Sequence, residues 1–178
     1  MSPALIRGYD NRYALSDLWG QAFGDDSGFI ADMYANGYLR PSDIFAMTDD
    51  GRLVAALFLP EYRIRIGGED RPIRLLSCVA TDSSQRGKGY MSRMIPRVLE
   101  LVRHECAGVC VIPVSESLYS FYERFGFSTA FYVSEQVFTP NDVSSPFNFI
   151  ASKTDPASFY EIYLSKYKKD GCVFKTGE

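Results

Sequence analysis

The chain has 178 residues, of which 46% are hydrophobic and 15% are aromatic. A chain of this size and composition buries a substantial core, which predicts one globular domain and excludes intrinsic disorder. The formal net charge of −3 excludes a nucleic-acid surface, because such surfaces neutralise phosphates with clustered lysine and arginine.

The segment from Met1 to Arg7 lacks a basic stretch followed by a long apolar core, and no later run approaches the roughly 18 apolar residues of a membrane span. We therefore expect a cytoplasmic protein with no membrane partner. The four cysteines have no paired CxxC spacing, so they are predicted to be reduced thiols, and no metal site is expected.

The first 70 residues predict helices followed by antiparallel strands. Apolar residues at helical spacing precede Gly24 and Asn36, and turn residues at 48–51 separate two β-rich runs. The predicted elements are a strand beginning at Ile6, helices at 13–23 and 29–35, and strands at 44–47 and 53–59, the last extended by the alternating residues 61–66.

Residues 75–91 are the most informative stretch. A β-rich run over 75–81 passes through a polar turn at 82–85 into the segment 86–91, which reads Arg-Gly-Lys-Gly-Tyr-Met and opens a helical pattern. This predicts a strand, a turn and a helix that begins at Gly87 to Gly89. Because the first N–H groups of a helix are unpaired and glycine permits close approach, we expect a phosphate there.

Two common phosphate motifs do not fit this turn. A Walker loop requires Ser or Thr after its lysine, whereas Lys88 is followed by Gly89. A Rossmann fingerprint requires a third Gly or Ala where Ser92 stands. Both nucleotide-binding families are therefore excluded by spacing.

The remaining chain alternates strand and helix. The apolar run 109–114 predicts an interior parallel strand, Ser115 to Ser117 begin a helix that ends at Gly126-Phe127, and Pro96 is expected to kink the preceding helix. Further predictions are a strand at 131–138, a boundary at 141–146, a helix opened by Asp155 and Pro156 and closed by Gly171, and a last strand at 172–175.

Two motifs resemble those of the GNAT superfamily of N-acetyltransferases. Arg86-x-x-Gly89-x-Met91 is similar to the acetyl-CoA loop Gln/Arg-x-x-Gly-x-Gly/Ala, although Met91 replaces the last small residue. Tyr122 to Phe127 is similar to the pattern Tyr-x-x-x-Gly-Phe/Tyr. The resemblance covers roughly residues 44–138, and Met91 together with Phe125-Gly126-Phe127 resembles the enhanced-intracellular-survival (Eis) type branch.

The resemblance implies a fold and a domain division. The implied fold is α/β (α+β): a GNAT-type mixed, mostly antiparallel central sheet flanked by helices, with splayed central parallel strands. Residues 1–140 would form the acetyltransferase domain and residues 141–178 a C-terminal helix-strand extension. In survival-type proteins such a segment joins a second GNAT-like region, so a short single-domain relative and a fragment are both left open.

The resemblance also implies transfer of an acetyl group from acetyl-CoA, the cosubstrate, to a primary amine of a small molecule or peptide by direct attack. Backbone groups on the central strand would hold the pantetheine arm and oxyanion, the loop amides would take the pyrophosphate, and Tyr122 would be the general acid or hydrogen-bond donor. Tyr119 is the neighbouring candidate for that role. The implied cofactor-binding residues are Val79, Ala80, Thr81, Arg86, Gly87, Lys88, Gly89, Tyr90, Met91, Ser92, Ser117 and Leu118.

The base and the acceptor are less defined. No carboxylate lies between Arg74 and Ala80, so Glu116, Asp82, Glu61, a water chain or, as in survival-type enzymes, a terminal carboxylate remain candidates for the base. Cys78 as an acyl-carrying nucleophile is disfavoured because nothing places His104 beside it. A non-catalytic acyl-CoA-binding domain and a structural lobe of a homo-oligomeric enzyme are the competing functions.

Overall fold

The computed structural model describes residues 3–130, 155–167 and 173–174. Within these ranges no helix is both long and apolar enough to cross a membrane. The helices are α1 (Arg12–Phe23), α2 (Ser27–Ala35), α3 (Tyr90–Val102), α4 (Glu116–Glu123) and α5 (Pro156–Tyr167), and the strands are β1 (Ala4–Arg7), β2 (Ile44–Asp49), β3 (Arg52–Phe58), β4 (Glu61–Ile66), β5 (Glu69–Thr81), β6 (Val109–Val111) and β7 (Val173–Phe174).

The strands form one mixed sheet around β5. The order is β1-β2-β3-β5-β4-β7, and β6 pairs with β5 outside this path. The pairing of β5 with β6 is parallel, and the other pairings in the described sheet are antiparallel. This confirms the predicted fold class, a mixed and mostly antiparallel sheet flanked by helices.

β3 and β4 lie end to end along the same edge of β5. Phe58 pairs with Ser77 and Glu61 pairs with Arg74, so no residue is inserted between the two pairings. Pro60 lies between the strands, and its carbonyl accepts a hydrogen bond from the Leu75 N–H at 3.0 Å. Residues 61–66 therefore continue the register of the preceding strand along β5, as predicted. Pro60 nevertheless divides this strand into β3 and β4, because proline lacks an N–H.

A β-bulge interrupts β5 within its pairing with β3. Ala56 pairs with Ala80, and Phe58 pairs with Ser77, so β5 carries one residue more than β3 between these pairs. Cys78 adopts φ of +49°, which costs a non-glycine residue about 1–2 kcal/mol. The extra residue also changes which side chains face which helices: Leu76 packs with the α3 cluster but Ala80 packs with the α1 cluster.

Helices cover both faces of the sheet. On one face, α1 and α2 bury Leu18, Trp19 and Ile30 against the strands. On the other face, α3 buries Met94, Ile95 and Val98, and α4 contributes Tyr122 to the same cluster. These buried faces follow the helical spacing read from the sequence.

The ends of β6 and α4 differ from prediction. β6 ends at Val111, and Ile112 and Val114 are exposed, so the apolar run does not continue as an interior strand. α4 ends at Glu123, before Gly126. α3 continues through Pro96, and the kink expected there stays a prediction. The predictions for 131–138, 141–146, Gly171 and Cys172 lie outside the described residues.

The C-terminal extension joins the same sheet. α5 begins at Pro156, where Asp155 caps its first turn by accepting a hydrogen bond from the Ser158 N–H at 2.9 Å. β7 pairs with β4 through Val173 and Phe174. The strand predicted in the extension thus lies beside the domain predicted for residues 1–140.

Candidate functional site

A cleft of about 690 Å³ opens where β5 and β6 separate. The two strands pair only over Arg74–Leu76 and Val109–Val111, and after this point β5 continues along β3 alone in the described sheet. The second half of β5 therefore has one edge free of a described strand. A free strand edge presents unpaired N–H and C=O groups to whatever enters the cleft.

Eleven of the predicted site residues line this single cleft. Two do not: Lys88, whose ammonium donates a hydrogen bond to the Gln85 amide oxygen at 2.7 Å, and Ser117, whose hydroxyl lies 3.0 Å from that of Ser115. The eleven lining residues are Val79, Ala80, Thr81, Arg86, Gly87, Gly89, Tyr90, Met91, Ser92, Leu118 and Tyr122.

The glycine loop ends at the N-terminus of α3. Gly89 is the N-cap residue with φ of 72° and provides no side-chain hydrogen bond, so the first N–H groups of the helix have no side-chain cap. The Tyr90 hydroxyl donates a hydrogen bond to Asp49 at the end of β2, which connects the start of the helix to the sheet. This arrangement is typical of an anion site, because the N–H groups and the helix dipole favour negative charge.

Tyr122 lies on α4 and reaches the cleft from the side opposite α1. The side chain is 6% exposed, and the rings of Phe121 and Phe127 meet it edge to face, with centroids 5.2 Å and 5.7 Å away. Burial raises the pKa of the Tyr122 hydroxyl above 10. Tyr122 therefore remains protonated at neutral pH and can donate a hydrogen bond.

A family model described as an acetyltransferase (GNAT) domain matches residues 10–130. The chain belongs to the GNAT acetyltransferase family. The matched range contains both motifs and most of the sheet. The predicted superfamily is thus confirmed.

Known relatives of this GNAT chain are distant in sequence. An uncharacterized N-acetyltransferase from Streptomyces avermitilis is 28% identical over 101 residues, which are 56% of this chain and 24% of that protein. The structure of a probable N-acyltransferase from Enterococcus faecalis is similar over 71% of this chain and 32% of that chain, with a TM-score of 0.59 and 18% identity. The structure of a GCN5-related N-acetyltransferase from Kribbella flavida is similar over 67% of this chain and 33% of that chain, with a TM-score of 0.57 and 17% identity. The chain therefore spans about a quarter to a third of these relatives.

The carboxylates considered as bases in this GNAT domain do not line the described cleft. Glu116 is exposed at the start of α4, and Glu61 begins β4 opposite Arg74. Asp82 accepts hydrogen bonds from the Ser84 N–H at 2.8 Å and hydroxyl at 2.6 Å, which lower the pKa of its carboxyl. Among the lining residues that the structure describes there is no carboxylate, which leaves a water chain as a candidate base. The terminal carboxylate, the other candidate, lies outside the described residues.

Cys78 lines the cleft, but its environment opposes nucleophilic catalysis. Burial, with a smaller contribution from the negative charge of Asp25, raises the pKa of the Cys78 thiol to about 11. The thiolate is the nucleophilic form, and no histidine lies among the lining residues in the described part of the chain. The geometry therefore agrees with the prediction that disfavours Cys78 as an acyl-carrying nucleophile.

Several residues that line the cleft were not predicted from the sequence. Ala22 and Phe23 at the end of α1 line it, although Phe23 has only the pattern of a helix residue. Phe121, one residue before Tyr122, also lines it. Ile112 and Val114 line it because the chain leaves the sheet after Val111, and Pro113 between them was the one signal that could have indicated this exit.

Proposed function

We propose that this GNAT domain binds acetyl-CoA in the cleft between β5 and β6 and transfers the acetyl group to a primary amine. The observation that carries the proposal is the meeting of three features in one cleft: the bulged free edge of β5, the uncapped N-terminus of α3 and the buried Tyr122. Acyl transfer from a CoA thioester uses an anion site, a free strand edge and a neutral hydrogen-bond donor together.

Each wall has a role in this proposal. The N–H groups at the loop from Gly87 to Ser92 hold the pyrophosphate, and exposed Arg86 adds a positive charge nearby. The edge of β5 from Val79 to Thr81 aligns the pantetheine arm. The N–H groups of that edge then stabilise the thioester oxygen when it becomes an oxyanion.

The reaction balances without a covalent enzyme intermediate. The amine nitrogen attacks the thioester carbonyl carbon and forms a C–N bond, and the C–S bond breaks. The nitrogen loses its surplus proton to water to give the amide, and the CoA thiolate receives a hydrogen bond or proton from the Tyr122 hydroxyl. A model thiol has a pKa of about 8.5 and tyrosine about 10, so a hydrogen bond is favoured over full transfer.

The attacking amine must first lose a proton. An ammonium with a pKa near 10.4 costs roughly 4.6 kcal/mol to deprotonate at pH 7. Since the described cleft has no carboxylate, the proton leaves through water, and turnover should rise with pH as the free amine becomes available. The acceptor is a small-molecule or peptide amine, and we place the chain in the survival-type branch on the strength of Met91.

A second candidate function is acyl-CoA binding without catalysis, which is favoured because no carboxylate lies among the described residues that line the cleft. Calorimetric titration of acetyl-CoA and CoA, followed by a thiol-release assay over a panel of amines, separates the two. Binding with turnover supports the enzyme, binding without turnover supports the second candidate, and absence of binding to folded protein refutes both.

Tyr122→Phe tests the proposed proton donor. We expect kcat to fall by about 100-fold or more, with the Kd for CoA nearly unchanged, because only the hydrogen bond to the leaving sulfur is lost. Tyr119→Phe is the matched control, since Tyr119 lies on the same helix, is 45% exposed and does not line the cleft. Equal kcat values for the two variants would remove Tyr122 from the mechanism.

A further inference from the structure

The Trp19 side chain of α1 contacts the bulge in β5. The Trp19 indole N–H donates a hydrogen bond to the Cys78 carbonyl oxygen at 3.0 Å, across 59 positions of sequence. Trp19 is 2% exposed, so its orientation is fixed by packing between α1 and the sheet. Indole has only one donor, and this contact satisfies it.

This bond fixes the direction of the next N–H group. No cis peptide bond occurs in the described chain, so the Cys78 carbonyl and the Val79 N–H point in opposite directions. The carbonyl points to Trp19 on the α1 face. The Val79 N–H is therefore directed away from α1, toward the face that carries α3 and Tyr122.

The side chains around the bulge agree with this orientation. Cys78 packs with the α1 cluster, and Val79 packs with the α3 cluster that includes Tyr122. Neither Cys78 nor Val79 has a partner in the described register with β3, so strand pairing does not set their shared peptide. The contact that does set it within the described residues is the Trp19 hydrogen bond.

We propose that Trp19 is a positioning residue, which orients the Cys78–Val79 peptide so that the Val79 N–H meets the acyl oxygen of the thioester. The inference rests on the proposed function, because it assigns a task to Trp19 only if acetyl-CoA occupies the cleft. Without the indole N–H, Cys78 loses the bond that holds its left-handed conformation and relaxes toward an extended one. The Val79 N–H then turns away from the acyl oxygen.

The test compares Trp19→Phe, Cys78→Gly, the double variant and the wild-type chain. Phenylalanine retains most of the ring but has no N–H, whereas glycine adopts a positive φ without strain. We expect Trp19→Phe to lower kcat by about 10-fold or more and to lower the ratio of acetyl-CoA to CoA affinity measured by calorimetry. In the double variant, glycine should restore most of the lost kcat and most of the lost affinity ratio, with Cys78→Gly alone as the reference.

A control separates positioning from loss of stability. Leu15→Val removes one methylene from a fully buried residue of the same helix that does not line the cleft, so it should lower the unfolding midpoint without changing either readout. If Trp19→Phe retains the wild-type affinity ratio and kcat, or if the effects of Trp19→Phe and Cys78→Gly are additive, the inference is overturned while the proposed function stands. If the wild-type chain binds neither ligand, the proposed function fails and the inference falls with it.

Discussion

Gly89 offers a quantitative test of the anion loop, because Gly37 provides a matched control. Both glycines have φ of +72°, and an added Cβ at either position would meet no atom within 4 Å. An alanine in this conformation costs about 1–2 kcal/mol, partly offset by about 0.4–1 kcal/mol from its less flexible unfolded chain. The backbone cost of substitution should therefore be the same at the two positions.

The two variants should differ in whether the cost lowers only the free energy of unfolding or also weakens CoA binding. Gly37→Ala should lower the free energy of unfolding by about 1 kcal/mol and leave CoA binding unchanged, because Gly37 lies after α2 and outside the cleft. In Gly89→Ala, the loop can relieve strain by turning its N–H groups away from the cleft. CoA binding must then turn these N–H groups back toward the cleft. A cost of 1–2 kcal/mol for this step corresponds to roughly a 5- to 30-fold rise in the Kd for CoA.

Urea unfolding measures the first quantity, and calorimetric titration of CoA measures the second. The reasoning would be refuted if Gly89→Ala bound CoA as tightly as the wild-type chain, or if Gly37→Ala weakened binding by a similar factor.

Two further predictions follow from the pKa shifts. Hydrogen bonds and charge from Arg7, with the charge of Arg74, lower the pKa of the Glu105 carboxyl below 4.5. Its stabilisation is present above that unfolded value and is lost as pH falls through the folded pKa, so Glu105→Gln should reduce stability at pH 7 and progressively less as the pH falls below 4.5. A difference that stayed constant across this range would contradict the assignment, and exposed Glu100→Gln is the control. The pKa of the Cys78 thiol is raised from 9.0 to about 11, so its alkylation by iodoacetamide at pH 7.5 should be about 100-fold slower than that of an ordinary thiol. Peptide mass spectrometry measures the rate, and rapid labelling would show that the thiol is not protected by burial.

Local sequence determined the elements whose boundaries depend on near neighbours. The apolar spacing of α3 and the stop of α1 at Gly24 could be read directly, because periodicity and capping act within a few residues. The anion loop at Gly87 to Gly89 was equally accessible, since glycine before an amphipathic helix has a definite backbone consequence. The fold class followed from the order of these elements and the two motifs.

The tertiary structure determined which residues line the cleft. Cys78 gives no local signal for a bulge, and the Trp19 indole that hydrogen-bonds to its carbonyl lies 59 positions earlier in the chain. Residues 112–114 remain as apolar as a strand, yet the chain leaves β5 after Val111 and opens the cleft. Local propensity gives no signal for the bulge and only Pro113 for the exit, because each feature results from which surfaces pack together once the chain has folded.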